Sequence, residues 1–98
     1  MARLVVSSKA EVDLDAITVF IAERDGPARA RAVAERIWRS MRNLADMPGI
    51  GSTRSYLRSG RRAFPVRPWL IVYRPLKDGV EILRVIDGRR DVPAIFRR

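Results

Sequence analysis

Apolar positions fall at three- and four-residue steps through the first half of the chain and alternate more tightly through the second. Arg3–Ser7 (RLVVS) reads as a first strand. Ser8 stands three residues before Glu11, the spacing of a capping box, and Asp13 and Asp15 follow where negative charge suits a helix dipole. Val12 or Ala10, with Leu14, Ile17, Phe20 and Ile21, can line one broad apolar face, which predicts a helix over about Lys9–Arg24. Asp25–Pro27 breaks it, and a proline at the first position of a new helix sacrifices no amide bond. Ala30, Val33, Ala34, Ile37, Met41, Leu44 and Ala45 then mark a second helix over about Ala28–Met47, with Arg29, Arg36, Arg39 and Arg42 on its wet face. Pro48–Gly51 (PGIG) stops it. That loop follows a helix and lacks a lysine–serine tail, so it is a helix stop and not a phosphate cradle. The short break makes the two helices an antiparallel hairpin.

Three strands are predicted beyond a polar loop: Arg61–Arg67, Trp69–Pro75 and Gly79–Asp87. Asp78-Gly79 in the Leu76–Gly79 link favours a hairpin turn. Pro65 and Pro68 lack amide donors, which pushes the first of the three toward a sheet edge. Trp69–Pro75 is apolar on both faces, so it belongs in the centre with a cover on each side. One cover is the helix hairpin. The other is the C-terminal segment Asp91–Arg98 (DVPAIFRR) or another protein.

The 98 residues form a single domain, residues 1–98, large enough for a core without staples. There is no cysteine, hence no disulfide framework or thiolate metal site, and no histidine, hence no usual general base at neutral pH. No cofactor or metal is expected. The N-terminal apolar stretch is too short for a signal peptide and no run reaches membrane-spanning length, so the expected location is the cytoplasm and no membrane partner is implied.

Charge changes the picture most. Residues 1–47 hold eight basic and seven acidic side chains, about +1, whereas residues 48–98 hold twelve and four, which is +8. Eighteen of the twenty cations are arginine, whose planar fork pairs bidentately with carboxylates and phosphates. The second half therefore expects an acidic partner, nucleic acid or an acidic protein segment, or else a basic surface kept for solubility.

Four stretches in order resemble the RelE/ParE superfamily of toxins from type II toxin–antitoxin systems, with the match to its ParE-like branch the better one. Ala10–Ile17 (AEVDLDAI) is similar to the family's A-x-x-D-L-x-x-I. Pro48–Phe64 (PGIGSTRSYLRSGRRAF) looks like its proline-glycine loop and arginine-rich segment. Leu70–Arg74 (LIVYR) and Glu81–Val92 (EILRVIDGRRDV) are similar to its last two strand signatures. The resemblance covers nearly the whole chain. It implies an α+β fold of order β-α-α-β-β-β, a helical hairpin packed on a mostly antiparallel sheet. It also implies a bacterial toxin neutralised by an acidic, partly disordered antitoxin that folds on it. ParE-like members poison DNA gyrase; RelE-like members cut messenger RNA on the ribosome.

Antitoxin or target contacts are expected at Arg62, Arg67, Trp69, Arg74, Arg84, Arg89, Arg90 and Phe96. A nuclease would draw on Arg67, Tyr73, Arg74, Arg84, Arg89 and Arg90, with Tyr73, Tyr56 or Asp87 as poor proton-transfer groups. Two departures disfavour it. Leu70 stands where ribosome-dependent members resemble one another in a catalytic arginine, and Asp87 stands where many members carry histidine. The ParE-like reading, gyrase inhibition, needs no catalytic residue. A small nucleic-acid-binding module is a third reading, opposed by the few aromatics available for base stacking. Several residues keep two readings. Arg84 shares the face of Ile82 and Ile86 by alternation, and is either functional or paired with Asp13, Asp87 or Asp91. Arg89 and Arg90 are a solvated turn or a clamp on carboxylates. Trp38 and Trp69 are core or rim aromatics, and Trp69 beside Pro68 can also lie at an interface. Ile95 and Phe96 dock on the sheet or yield to a partner.

Overall fold

The computed structural model describes residues 2–97. Strand β1 (Arg3–Val6) leads into helices α1 (Ser8–Asp25) and α2 (Pro27–Asp46), then strands β2 (Arg62–Val66), β3 (Trp69–Leu76) and β4 (Gly79–Asp87), and a short helix α3 (Val92–Phe96). The sheet order is β1-β4-β3-β2, with β1 parallel to β4 and the other neighbours antiparallel. This is the expected α+β order.

Helix α1 begins one residue earlier than the capping-box spacing predicts. The cap is Ser7, whose hydroxyl accepts from the Ala10 amide (3.1 Å) and donates to the Leu83 carbonyl (3.0 Å). The Ser7 amide also bonds Ile82 (3.0 Å), so the end of strand pairing sets the start of the helix. A single residue, Gly26, separates the helices at φ 92°, a backbone that side chains other than glycine's disfavour. Helix α2 buries Ala30, Val33, Ile37, Met41, Leu44 and Ala45 as its spacing predicts. Helix α1 follows most of its predicted face: Ala10 and Ile21 are buried and Leu14 and Ile17 pack half-buried against the core, whereas Phe20, and Val12 as the alternative to Ala10, are exposed.

Strand β3 lies inside the sheet and is covered on both faces. Ile71 and Tyr73 pack with the helix hairpin, together with Val80, Ile82 and Val85. Leu70 and Val72 face the other way, under Tyr56, Leu57, Val92, Ile95 and Phe96. The second cover is therefore the tail and the loop before β2, and the Tyr56 and Phe96 rings stack at 6.2 Å. Strand β2 is an edge. Ala63 exchanges two bonds with Ser52 (2.8 and 2.9 Å) on its outer side, and Pro65 has no amide to offer there.

The alternation in β4 breaks once. Val72 pairs with Arg84 but Tyr73 pairs with Ile82, so Leu83 is an extra residue, a β-bulge. Beyond it the parity flips: Ile82 joins the helix-side core and Ile86 the opposite one. Arg84 therefore does not share a face with Ile82, contrary to simple alternation.

Tyr73 is fully buried on the helix side. Its hydroxyl donates to the Pro48 carbonyl (2.6 Å) and accepts from the Gly51 amide (2.9 Å). A Cβ at Gly51 would collide with that hydroxyl. The PGIG loop is thus a socket for Tyr73 as well as a helix stop. Tyr73→Phe leaves a half-buried carbonyl and a buried amide unpaired, and is expected to lower unfolding free energy by about 1–3 kcal/mol. Urea denaturation measures this, and an unchanged midpoint would refute the socket.

Candidate functional site

Beyond Val6, strand β4 has no β-strand neighbour on its outer side among the described residues, since β1 pairs only as far as Ile82. Side chains of α1 fill the gap. The Asp13 carboxylate accepts from the Val85 amide (2.9 Å) and from two nitrogens of Arg84 (2.8 and 3.1 Å). The pairing holds the Arg84 guanidinium above its ordinary pKa, chiefly through the Asp13 hydrogen bond and against partial desolvation. Of the partners considered for Arg84, the structure selects Asp13. The A-x-x-D spacing makes local sense: Ala10 buries against the core and Asp13, one turn on, reaches the strand edge.

Beside this edge runs a groove of about 860 Å³ between the start of α1, the loop before β2, the bulge of β4 and the tail. Its floor and walls include Tyr56, Leu57, Leu83, Ile95 and Phe96. Its rim carries Lys9, Arg58, Arg61, Arg84 and Arg90, and among the described residues the lining holds no carboxylate. Arg84 is held by Asp13. Lys9, Arg58, Arg61 and Arg90 form no ion pair among the described residues. A second hollow of about 410 Å³ adds Arg54, Arg67 and Arg89, and shares Tyr56 and Arg90 with the first. An apolar floor inside a cationic rim can seat a chain that is apolar on one side and acidic on the other.

The residues expected from sequence divide three ways. Arg84, Arg90 and Phe96 meet in the groove, and Arg67, Arg89 and Arg90 in the second hollow. Arg62, Trp69 and Arg74 stand apart. Arg62 donates to the Gly51 and Gly49 carbonyls (2.9 and 3.2 Å) and braces the Tyr73 socket. Trp69 packs with the helix-side core, its indole nitrogen buried and without a partner among the described residues. Arg74 pairs with Glu81 across the hairpin (2.6 Å). Sequence reading missed Lys9, Arg54, Arg58 and Arg61. The signal was the density of cations beside Tyr56 and Leu57 in a stretch taken as a polar loop.

The nuclease set does not assemble. Tyr73 is buried on the helix side with its hydroxyl fully engaged, while Arg67, Arg89 and Arg90 lie by the opposite face. Leu70 is buried beneath the tail. Asp87 is clamped by Arg89, which bonds it through its backbone amide (2.9 Å) and guanidinium (2.7 and 2.9 Å). Among the described residues no cluster of three or more acidic side chains could hold a metal ion.

Comparison with known proteins fits this architecture. The family described as "ParE toxin of type II toxin-antitoxin system, parDE" matches residues 4–92. The chain belongs to the ParE toxin family. Toxin ParE3 of Caulobacter vibrioides is 36% identical over 94 residues, which cover 96% of this chain and 94% of that protein. A solved structure titled "Chromosomal ParDE TA system from P. aeruginosa" superposes with a TM-score of 0.75 at 27% identity, covering 89% of this chain and 96% of that one. As a ParE toxin, the chain is the toxin component of a type II toxin–antitoxin system. Among the described residues no helix is long and apolar enough to cross a membrane.

The Arg89 hydrogen bonds, side-chain first and backbone second, pull the Asp87 carboxyl in this ParE toxin from 3.8 down to about 2. A depressed carboxylate stabilises the fold above its unfolded pKa, and the contribution is lost as pH falls from about 4 toward 2. The pair is partly exposed, so the effect is small. Asp87→Asn is expected to lower stability at pH 6 and to converge with the parent by pH 2 in urea titrations. Parallel curves across that window would contradict the clamp.

Proposed function

We propose that this ParE toxin acts in the bacterial cytoplasm by inhibiting DNA gyrase, and that the acidic segment of its cognate antitoxin silences it by lying in the groove between α1, the loop before β2 and the tail. One observation carries the antitoxin part: four cations without ion-pair partners and no carboxylate rim an apolar floor, among the described residues. An acidic amphipathic segment matches both features. Its carboxylates meet Lys9, Arg58, Arg61 and Arg90, and its apolar side chains cover Leu57, Ile95 and Phe96. A segment disordered when free gains its fold on binding, so charge complementarity sets the encounter and the apolar floor sets the dwell time. The P. aeruginosa structure, of a ParDE toxin–antitoxin system, supports pairing with an antitoxin.

The gyrase part rests on the family and on what the site lacks as a nuclease. RNA cleavage through the 2′-hydroxyl needs a proton-transfer group beside the phosphate-binding cations. Tyr73 is spent on the PGIG socket, and Asp87 is held as a carboxylate by Arg89. Inhibition by binding asks for no such group.

Arg58→Glu with Arg90→Glu is expected to weaken antitoxin binding roughly tenfold or more in low salt. Arg29→Glu with Arg39→Glu, an equal charge change on the wet face of α2, should leave it within about twofold. Equal losses in the two pairs would reduce the effect to net charge and remove the groove. In parallel assays the free toxin should block supercoiling by purified gyrase and leave ribosome-bound messenger intact. Codon-positioned cuts without loss of supercoiling would overturn the target.

A further inference from the structure

Helix α1 carries an apolar stripe that none of the described residues covers. Val12, Val19 and Phe20 are 67%, 56% and 53% exposed, and Ala16 between them is exposed too. These residues recur at steps of three and four and so share one face, turned away from buried Ala10 and Ile21. Lys9 and Glu23, both exposed, extend the face by one heptad on either side of Ala16. Neither forms an ion pair among the described residues.

That arrangement is self-complementary. A two-fold axis through Ala16, with a second α1 running antiparallel, sets Lys9 opposite Glu23 of the other copy, and Glu23 opposite its Lys9. The same axis sets Val12 against Phe20 twice and puts the smallest side chain, Ala16, where the backbones approach closest. Arg24 lies over the Phe20 ring at 5.0 Å and pairs with Asp25 (3.0 Å), which shields one edge of the stripe. Helix α1 holds five acidic and two basic residues in a chain of net charge +9, so its acidic balance offsets part of the repulsion between two basic copies.

We infer that a second copy of this chain docks on the first through α1, antiparallel about Ala16, with two Lys9–Glu23 ion pairs bracketing the apolar stripe. The inference does not depend on the gyrase reading, but it shares Lys9 with the proposed antitoxin groove, so a second copy and the antitoxin would compete for that side chain. An 18-residue helix is about 27 Å long, so the contact is smaller than a standard interface of about 1,600 Å². Association is accordingly weak, and dimers form at about 0.1 mM and above.

Sedimentation equilibrium of the purified chain, without antitoxin, tests this. The parent should shift from monomer to dimer between about 10 µM and 1 mM. Lys9→Glu and Glu23→Lys should each raise the dissociation constant roughly tenfold, because two attractive pairs become two repulsive ones. The double reversal restores opposite charges and should return it to within about threefold of the parent. Lys77→Glu, an equal charge change in the β3–β4 turn, should have no effect. All positions are exposed, and circular dichroism confirms that each variant is folded. A parent that stays monomeric at 1 mM, a dimer indifferent to the single reversals, or a double reversal that fails to restore it would each overturn the inference.

Discussion

The sheet has two apolar faces and one helix hairpin. Strand β3 buries Ile71 and Tyr73 on one side and Leu70 and Val72 on the other. Each large aliphatic side chain taken from water contributes about 1.5–3 kcal/mol, so neither face can stay wet. The hairpin closes the first face with Val33, Ile37, Met41 and Leu44. Among the described residues the second has a five-residue helix and part of a loop, and of their apolar side chains in the cluster Val92 is buried while Tyr56, Leu57, Ile95 and Phe96 remain half exposed. The cover is adequate for folding and incomplete as a surface. The groove is the incomplete part.

Its position follows from how β1 ends. Four residues of β1 pair with β4, and the chain then turns into α1 at Ser7. The outer edge of β4 would be a row of unpaired amides and carbonyls, an invitation to unwanted strand pairing. Ser7 and Asp13 answer Leu83 and Val85 instead, and the bulge at Leu83 turns Arg84 toward Asp13. The other edge is blunted by Ser52 and Pro65. With part of each edge blocked, the partner surface we propose lies beside the sheet, over the loop and tail, where the cations gather.

Much of this was readable from the residues. The helix pair follows from the spacing in α2 and the Asp-Gly-Pro break. The edge place of β2 follows from Pro65, and the two-sided burial of β3 from its unbroken apolar run. Three features were not readable for definite reasons. A bulge leaves no mark in a run as uniform as Glu81–Asp87, so the face of Arg84 could not be assigned by alternation. Tyr73 looked available for chemistry because nothing in its neighbourhood announces that Pro48 and Gly51, over twenty residues away, will claim its hydroxyl. The cations of Arg54–Arg61 looked like loop solvation because only the folded loop brings them beside Phe96 and Lys9. The amphipathic face assigned to α1 was too broad. That helix is apolar on most sides, and spacing alone cannot say which side the core takes.

The central claim is that an acidic antitoxin segment completes the second face of the sheet. Hydrogen–deuterium exchange on the toxin, free and bound to its cognate antitoxin, tests it most directly. The account predicts that binding protects residues 54–61 and 91–97 and the start of α1, and leaves the middle of α2 unchanged. Protection confined to the outer faces of the helix hairpin, with the loop and tail exchanging as in the free protein, would contradict it.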